Sequence, residues 1–151
     1  MPRLQFITPI AAPIERVFDL ARDISVHSRT LAHTQEVAAS DGESPLLTLG
    51  DTVTFHAVHF GVRQRLVAKI TEFNPPRRFV DEMLQGAFAS LRHTHDFEPQ
   101  SFGALMRDTI DYTAPLGPLG RLADILFLER YMTRLIERRN QALKKIAESG
   151  E

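Results

Sequence analysis

The chain has 151 residues, with 18 basic and 19 acidic side chains and a formal net charge of -1, so it lacks the basic excess typical of nucleic-acid-binding domains, and we expect no nucleic-acid partner. It contains no cysteine, which excludes disulfides, thiolate metal ligands and cysteine nucleophiles and fits a cytoplasmic protein. The length predicts one domain over residues 1–151, and because no stretch approaches the ~20 apolar residues of a membrane span, we expect no stable membrane insertion.

The first part of the chain predicts one strand followed by two short helices. Residues 3–8 alternate in the pattern of a strand. Pro13 suits the first turn of a helix, and apolar side chains then recur at helical spacing. Asp23 or Ser25 could cap a second helix that continues to Leu31. His27 and His33 lie in this helical corner, and we expect both to be solvated.

Six further strand-like segments follow, and turn residues such as Gly61 and Gly86 separate them. In chain order they cover 36–39, 50–60, 62–73, 78–85, 90–98 and 104–114. Alternating segments joined by short turns are typical of antiparallel hairpins. The pattern therefore predicts one antiparallel sheet of six or seven strands.

The last segment, 118–147, is predicted to be one long amphipathic helix. With ~3.6 residues per turn, one apolar stripe contains Leu128, Met132, Leu135, Ala142, Leu143 and Ile146. Arg139 falls within this stripe, four positions after Leu135, where an apolar residue is expected. A helix that only covered an apolar core would not place a guanidinium group there.

Strand alternation predicts several ionisable side chains on the inward face of the sheet. Residues of equal parity share a face of a strand, so His93 and His95 lie on the apolar side of their strand. Asp108 and Tyr112 lie on the apolar side of the next strand by the same rule. With Asp81, placed inward in the strand 78–85, the complete inward polar set is Asp81, His93, His95, Asp108, Tyr112 and Arg139.

Three interpretations of this polar set remain open. Because an unpaired buried charge is strongly unfavourable, the first is a structural network in which Asp81 or Asp108 binds Arg139. In the second, the groups form the polar part of an otherwise apolar ligand pocket. In the third, they support acid–base catalysis or bind a metal through His-x-His. His-x-His occurs often by chance, and we predict neither a metal nor a cofactor.

Several segments resemble the START-like superfamily, also called SRPBCC. They are 10–20, where the first strand enters the first helix, 70–79 at a turn within the sheet, and the strand segments 79–83, 93–97 and 106–112. The superfamily includes polyketide cyclase and dehydrase-like proteins, Bet v 1-like pollen allergens and coenzyme Q-binding proteins. The resemblance implies an α+β helix-grip fold: a curved antiparallel sheet of six to seven strands wrapped around a long C-terminal helix, with two short helices after the first strand.

The resemblance to an uncharacterised bacterial ligand-binding subgroup implies that the chain binds a hydrophobic small molecule, such as a lipid, a quinone or a polyketide-like compound. The cavity would lie between the sheet and the C-terminal helix. The candidate ligand-binding residues are the polar set Asp81, His93, His95, Asp108, Tyr112 and Arg139 together with Leu128, Met132 and Leu135.

Two alternative functions and one question of assembly accompany this prediction. The first alternative is a cyclase or dehydratase, with His93 or His95 as the acid or base, Asp108 or Asp81 orienting it, and Tyr112 or Arg139 stabilising an enolate. The second is a membrane- or protein-associated lipid chaperone. A homodimer is left open.

Overall fold

Seven strands form one antiparallel sheet: β1 (Arg3–Ile10), β2 (Val37–Ser40), β3 (Thr52–His59), β4 (Val62–Asn74), β5 (Arg78–Gln85), β6 (Ser90–Gln100) and β7 (Gly103–Thr113). Their order across the sheet is β1-β7-β6-β5-β4-β3-β2, so β2 to β7 form a continuous meander and β1 pairs with the last strand. The structure is a computed structural model that describes residues 3–150. Residues 1, 2 and 151 of the predicted domain lie outside this range.

Two short helices, α1 (Ile14–Ala21) and α2 (Ile24–Thr30), follow β1, as the sequence predicts. The apolar positions of α1 face inward, and Phe18 is only 1% exposed. Asp23 is the N-cap of α2, because its carboxylate accepts hydrogen bonds from the backbone N–H groups of Ser25 and Val26 at 2.9 Å and 3.4 Å. Such a cap satisfies amide groups that have no partner within the helix.

The C-terminal region is helical from 117 to 149 in three parts: α3 (Gly117–Ala123), a π-helical turn (Asp124–Leu128) and α4 (Glu129–Ser149). The prediction of a long C-terminal helix is confirmed, and a π-helical turn that the sequence did not predict interrupts its α-helical geometry. Asp124 is buried in the π-helical turn, where its carboxylate accepts a hydrogen bond of 2.6 Å from the hydroxyl of Tyr112 in β7. The interruption therefore coincides with a long-range contact that helical periodicity cannot reveal.

The sheet bends around an aromatic core beneath α1. Register shifts interrupt the pairing of β4 with β5 between Val67 and Ala68 and again between Ile70 and Glu72, and such bulges increase the bend and twist of a sheet. The ring of Phe18 packs against three rings of the sheet, those of Phe73, Phe79 and Phe97, with centroids 5.3–5.7 Å apart. Full burial of one such side chain stabilises the fold by roughly 1.5–3 kcal/mol.

The end of α4 is fixed to the first strand and the first helix. The guanidinium group of Arg16 donates hydrogen bonds of 3.0 Å to the carbonyl groups of Ile146 and Ala147, which lack partners within the last turn of a helix. Lys144 donates to the carbonyl of Pro9 at 2.8 Å. These contacts hold the second half of α4 against the core and leave its first half over an open part of the sheet.

The α+β helix-grip prediction is confirmed: a curved seven-stranded antiparallel sheet, two short helices and a long C-terminal helix. Within the described residues, no helix combines the length and the apolar character that crossing a membrane requires.

Candidate functional site

A cavity of about 830 Å³ lies between the sheet, α3, the π-helical turn and the first half of α4. Most of its wall is apolar, formed from β3 to β7 on one side and the helices on the other. Three helical residues named from the sequence, Leu128, Met132 and Leu135, line it. Representative apolar residues of the facing sheet and helix are Phe55, Leu66, Leu91, Ile110 and Ile136.

The inward polar set divides into two layers. Asp81 and His93 line the cavity, and they are register partners on β5 and β6. His95, Asp108 and Arg139 are not among the described lining residues, and at most 3% of each is exposed. Strand parity predicts the correct face for these side chains, but it contains no information on whether a side chain reaches the cavity or stops in the layer behind it.

Asp108 is the centre of the inner layer. Its Oδ1 receives hydrogen bonds from Nε2 of His93 at 2.7 Å and from Nη1 of Arg139 at 3.0 Å. Its Oδ2 accepts a hydrogen bond of 2.9 Å from Nδ2 of Asn140. Asp108 is therefore the partner of Arg139, one of the two carboxylates that the sequence suggested. The sequence does not single out Asn140, because a lone asparagine on a charged helix has no distinguishing pattern.

His95 is enclosed between the two carboxylates. Its Nε2 lies 2.8 Å from Oδ2 of Asp81, and its ring stacks on Phe79 and His93 with centroids 4.1 Å and 3.7 Å apart. Its Nδ1 lies 3.4 Å from Oδ1 of Asp108 but has no hydrogen-bond partner. His95 therefore links the two carboxylates by charge and makes its hydrogen bond to Asp81.

The two stacked histidines have opposite pKa shifts. Burial, together with the charge of His95, lowers the pKa of His93 to about 4. Burial also disfavours the charged form of His95, but the carboxylates of Asp108 and Asp81 outweigh burial and raise its pKa. These shifts favour the neutral form of His93 and the protonated form of His95.

Both carboxylates of the cluster remain ionised. Burial opposes their charge, but Arg139 and the histidines hold the pKa of Asp108 well below its usual value. The hydrogen bond from His95 lowers the pKa of Asp81 in the same way against burial. The cluster thus places its two carboxylates against the guanidinium of Arg139 and against His95, whose protonated form they favour.

Asp81, His93 and His95 place possible metal-ligand atoms within 4.8 Å of one another. A metal would have to displace the hydrogen bond between His95 and Asp81. It would also need His95 in its neutral form. The donor chemistry therefore does not fit a resident metal, and we propose no metal site.

Tyr112 belongs to the wall behind the cavity. Its side chain is fully buried, and its hydroxyl donates to Asp124 rather than toward the cavity. Burial and the neighbouring carboxylate raise the pKa of Tyr112, so its hydroxyl keeps its proton for this bond. Tyr112 holds the π-helical turn and does not contact the cavity space.

Two further polar pairs that the sequence did not single out also line the cavity. Nδ1 of His27 pairs with Oε1 of Glu36, and its ring packs on Phe55 with centroids 4.8 Å apart. The expectation that His27 is solvated was wrong, because α2 turns it toward β3. Nδ1 of His59 lies 2.5 Å from the hydroxyl of Tyr131 on α4. The alternation of β3 places His59 inward, whereas the link to α4 is visible only in three dimensions.

A family described as polyketide cyclase / dehydrase and lipid transport matches residues 1–148. No curated protein matches the chain. Among solved structures, the protein TTHA0849 from Thermus thermophilus is 21% identical over 99% of both chains, with a TM-score of 0.83. A START superfamily protein from Mycobacterium smegmatis is 12% identical over 99% of both chains, with a TM-score of 0.76.

A third similar structure is the major latex-like protein 151 from Panax ginseng, 13% identical over 97% of both chains with a TM-score of 0.68. At these identities the structural likeness establishes the fold alone, which the chain shares with these three proteins. The family match extends from the first strand to the end of α4. The chain therefore belongs to the polyketide cyclase / dehydrase and lipid transport family.

Proposed function

We propose that this protein binds an apolar small molecule in the cavity between the sheet and α4. The observation that supports the proposal most directly is the cavity itself, which measures about 830 Å³. Small-molecule sites typically measure ~300–1,000 Å³ and combine apolar walls with a few placed polar groups. The family description, which includes lipid transport, agrees with such a ligand.

The arrangement of polar groups also supports a binding site. Asp81 and His93, which we call the polar end, lie together on β5 and β6, whereas Leu91, Ile110 and Ile136 line apolar parts of the same cavity. An apolar ligand would displace water from this wall, at a gain of roughly 25 cal/mol per Å² of apolar surface buried. The polar end would fix the orientation of the ligand.

Binding is better supported than cyclase or dehydratase chemistry. An efficient general base has a pKa near the working pH, whereas burial and His95 lower the pKa of His93 to about 4. His95 and Asp108, the other catalytic candidates, are sealed behind the wall. The cluster therefore has the properties of a rigid support for the polar end.

A cavity-filling substitution tests this proposal. Ala57 lies on the inward face of β3 and lines the cavity, so Ala57→Phe should fill it and weaken binding of the apolar dye Nile red at least tenfold. The matched control is His56→Phe, which adds the same ring at the exposed neighbouring position. Saturable binding of Nile red that Ala57→Phe leaves unchanged would contradict the proposal.

A second candidate function, docking on an anionic lipid surface, rests on the exposure of apolar residues at the edge of the same cavity. The segment 116–127 exposes an apolar rim in which each side chain is 54–77% accessible: Leu116, Leu119, Leu122, Ile125, Leu126 and Phe127. Arg121, Arg130 and Arg134 are exposed on the same helical region. A large exposed apolar patch is typical of an interaction site, and flanking arginines favour anionic headgroups.

Vesicle co-sedimentation distinguishes the lipid-surface function from binding alone. We expect the protein to sediment with phosphatidylcholine vesicles that contain phosphatidylserine and to remain in solution with phosphatidylcholine alone. Ile125→Asp should abolish sedimentation, whereas Leu84→Asp, at another exposed apolar position, should not. Sedimentation that both variants retain, or none by the wild type, would rule out the rim as a lipid-docking surface.

A further inference from the structure

Each histidine that borders the cavity near a carboxylate gives one ring N–H to that carboxylate. An ionised carboxylate can accept hydrogen bonds but cannot donate them. The ring nitrogen bonded to it must therefore carry the proton. Nε2 of His93 is bonded to Asp108 at 2.7 Å, and Nδ1 of His27 is bonded to Glu36. These pairs fix the tautomers without reference to any ligand.

The nitrogen that remains on each ring is therefore an acceptor when the ring is neutral. For His93 this nitrogen is Nδ1, and for His27 it is Nε2. Asp81 and Glu36 also line the cavity, and ionised carboxylates have acceptor sites only. Asp81 accepts a hydrogen bond from His95 through Oδ2, which leaves Oδ1 for a ligand. The polar end consequently presents hydrogen-bond acceptors to a ligand.

The hydrogen-bond donors along the cavity belong to residues other than Asp81 and His93. The hydroxyl of Tyr131 and Nδ1 of His59 share one hydrogen bond of 2.5 Å, so this pair retains one further donor at the end of β3. Arg65 is the only lysine or arginine among the described lining residues. It is exposed, and its guanidinium donates to Gln85 at 3.1 Å. A carboxylate ligand would find its partner at this exposed arginine and not at Asp81.

From this distribution of donors and acceptors, we infer that the cavity selects uncharged apolar molecules that carry a hydroxyl group, either alcohol or phenol, and discriminates against carboxylic acids of the same shape. The inference rests on the proposed binding function and specifies its ligand class. A hydroxyl can donate to Asp81 or to Nδ1 of His93 within an apolar enclosure. A carboxylate in the same place would meet the ionised Asp81 without a donor between them, and both charges would be desolvated.

Competition against bound Nile red measures this preference on one molecular skeleton. The competitors are 2-naphthol, naphthalene and 2-naphthoate at neutral pH. Because a hydrogen bond to a charged group is worth roughly a factor of ten or more in affinity, we expect 2-naphthol to compete about tenfold better than naphthalene. We expect 2-naphthoate to be the weakest of the three. A 2-naphthoate affinity equal to or above that of 2-naphthol would overturn the inference.

Asp81→Asn is the decisive variant. Its amide oxygen can still accept from His95, while its amide nitrogen turns a donor toward the ligand, so the preference for 2-naphthol over 2-naphthoate should fall at least tenfold. Glu82→Gln, which removes the adjacent carboxylate on the more exposed face of β5, is the matched control and should keep the preference. If Asp81→Asn does not fold, the ranking of the three competitors on the wild-type protein still tests the inference.

The outcomes separate this inference from the function on which it rests. If Nile red does not bind the wild type, the proposed function fails. If Nile red binds and Ala57→Phe abolishes binding, but the competitors rank differently or the Asp81→Asn preference is unchanged, only the ligand class is wrong. A further outcome would also overturn the inference. If 2-naphthoate competes with Nile red on the wild type but not on Arg65→Gln, its carboxylate binds at the exposed Arg65 and not near Asp81.

Discussion

Arg139 and Asp108 form an ion pair from which solvent is excluded: Nη1 lies 3.0 Å from Oδ1, and the two side chains are 3% and 0% exposed. The pair joins α4 to β7 across the back wall of the cavity. Its position explains why a guanidinium interrupts the apolar stripe of α4. Burying the pair costs solvation, so its value lies in positioning more than in net stability.

Removing one partner of this pair should be strongly destabilising. Arg139→Met would leave Asp108 ionised and buried, and we expect it to lower the free energy of unfolding by about 3–5 kcal/mol. Adding Asp108→Asn should recover part of this loss, because the unpaired charge disappears. Urea denaturation measures both effects. Arg138→Met, at an exposed neighbouring position, is the control, and an Arg139→Met loss no larger than the control's would refute the interpretation.

Asn140 should contribute to the same support although it has no charge. It is 2% exposed, and Asn140→Ala removes the donor to Oδ2 of Asp108 at 2.9 Å. We expect a loss of about 1–3 kcal/mol, the usual result of leaving a buried acceptor without its partner. Gln141→Ala, one position further along α4 and exposed, should change stability little. Equal losses in the two variants would show that the hydrogen bond is unimportant.

The lowered pKa of His93 predicts that the protein loses stability at acidic pH. Its value falls from 6.5 to about 4 on folding, so between these pH values the unfolded chain binds a proton that the native chain does not. Stability should therefore decrease by roughly 3 kcal/mol as the pH falls through this window. His59 and His33, whose pKa values are also lowered, act in the same direction. The contribution of His93 is therefore the difference between the stability–pH profiles of the wild type and His93→Gln.

His95 predicts the opposite dependence at higher pH. Its pKa is raised on folding, so its stabilising contribution is complete below about 6.5 and is lost as the pH rises through the folded value. The carboxylates of the cluster do not interfere, because their lowered pKa values place their losses below about 3.8. Urea midpoints measured from about pH 6.5 upward should decline less steeply in His95→Gln than in the wild type; parallel slopes would contradict the assignment.

Tyr112 should control the order of the π-helical turn. Tyr112→Phe removes the hydroxyl that donates to the buried Asp124 at 2.6 Å, and we expect it to cost about 1–3 kcal/mol. Faster hydrogen exchange across 124–128 should accompany this loss. Tyr131→Phe removes the other tyrosine hydroxyl of the chain and should leave exchange in this segment unchanged. Exchange that is equally fast in both variants would exclude a specific role for Tyr112.

The sequence predicts the fold in considerable detail because its signals are local. Alternation and turn residues place β5 at 78–85, as observed. The short polar side chains of Asp23 and Ser25 are the two candidate caps of α2, and Asp23 is the observed one. The π-helical turn at Asp124 escapes this reasoning, since a helical wheel assumes a constant number of residues per turn. Its tertiary partner, Tyr112, belongs to a different element.

The sequence predicts which residues belong to the candidate site but not which of them reach the cavity. Parity groups His93, His95 and Asp108 on the correct faces, and the interrupted stripe of α4 identifies Arg139. Which side chain reaches the cavity depends on how far the layers of side chains extend from the sheet, and only the packed structure supplies that distance. The inward turn of His27 depends on the packing of α2 against the sheet, for which no residue pattern is specific.

The most direct test of the central claim is a crystal structure with 6-bromo-2-naphthol, in which anomalous scattering locates the bromine. We predict bromine inside the cavity, between the sheet and α4, with the hydroxyl oxygen within hydrogen-bond distance, about 3 Å, of Asp81 or His93. If the bromine lies in the cavity but the hydroxyl points out of it, the inferred ligand class is wrong and the cavity remains the binding site. Bromine found only on the outer surface of the segment 116–127, with the cavity unoccupied, would contradict the claim that this cavity is the binding site.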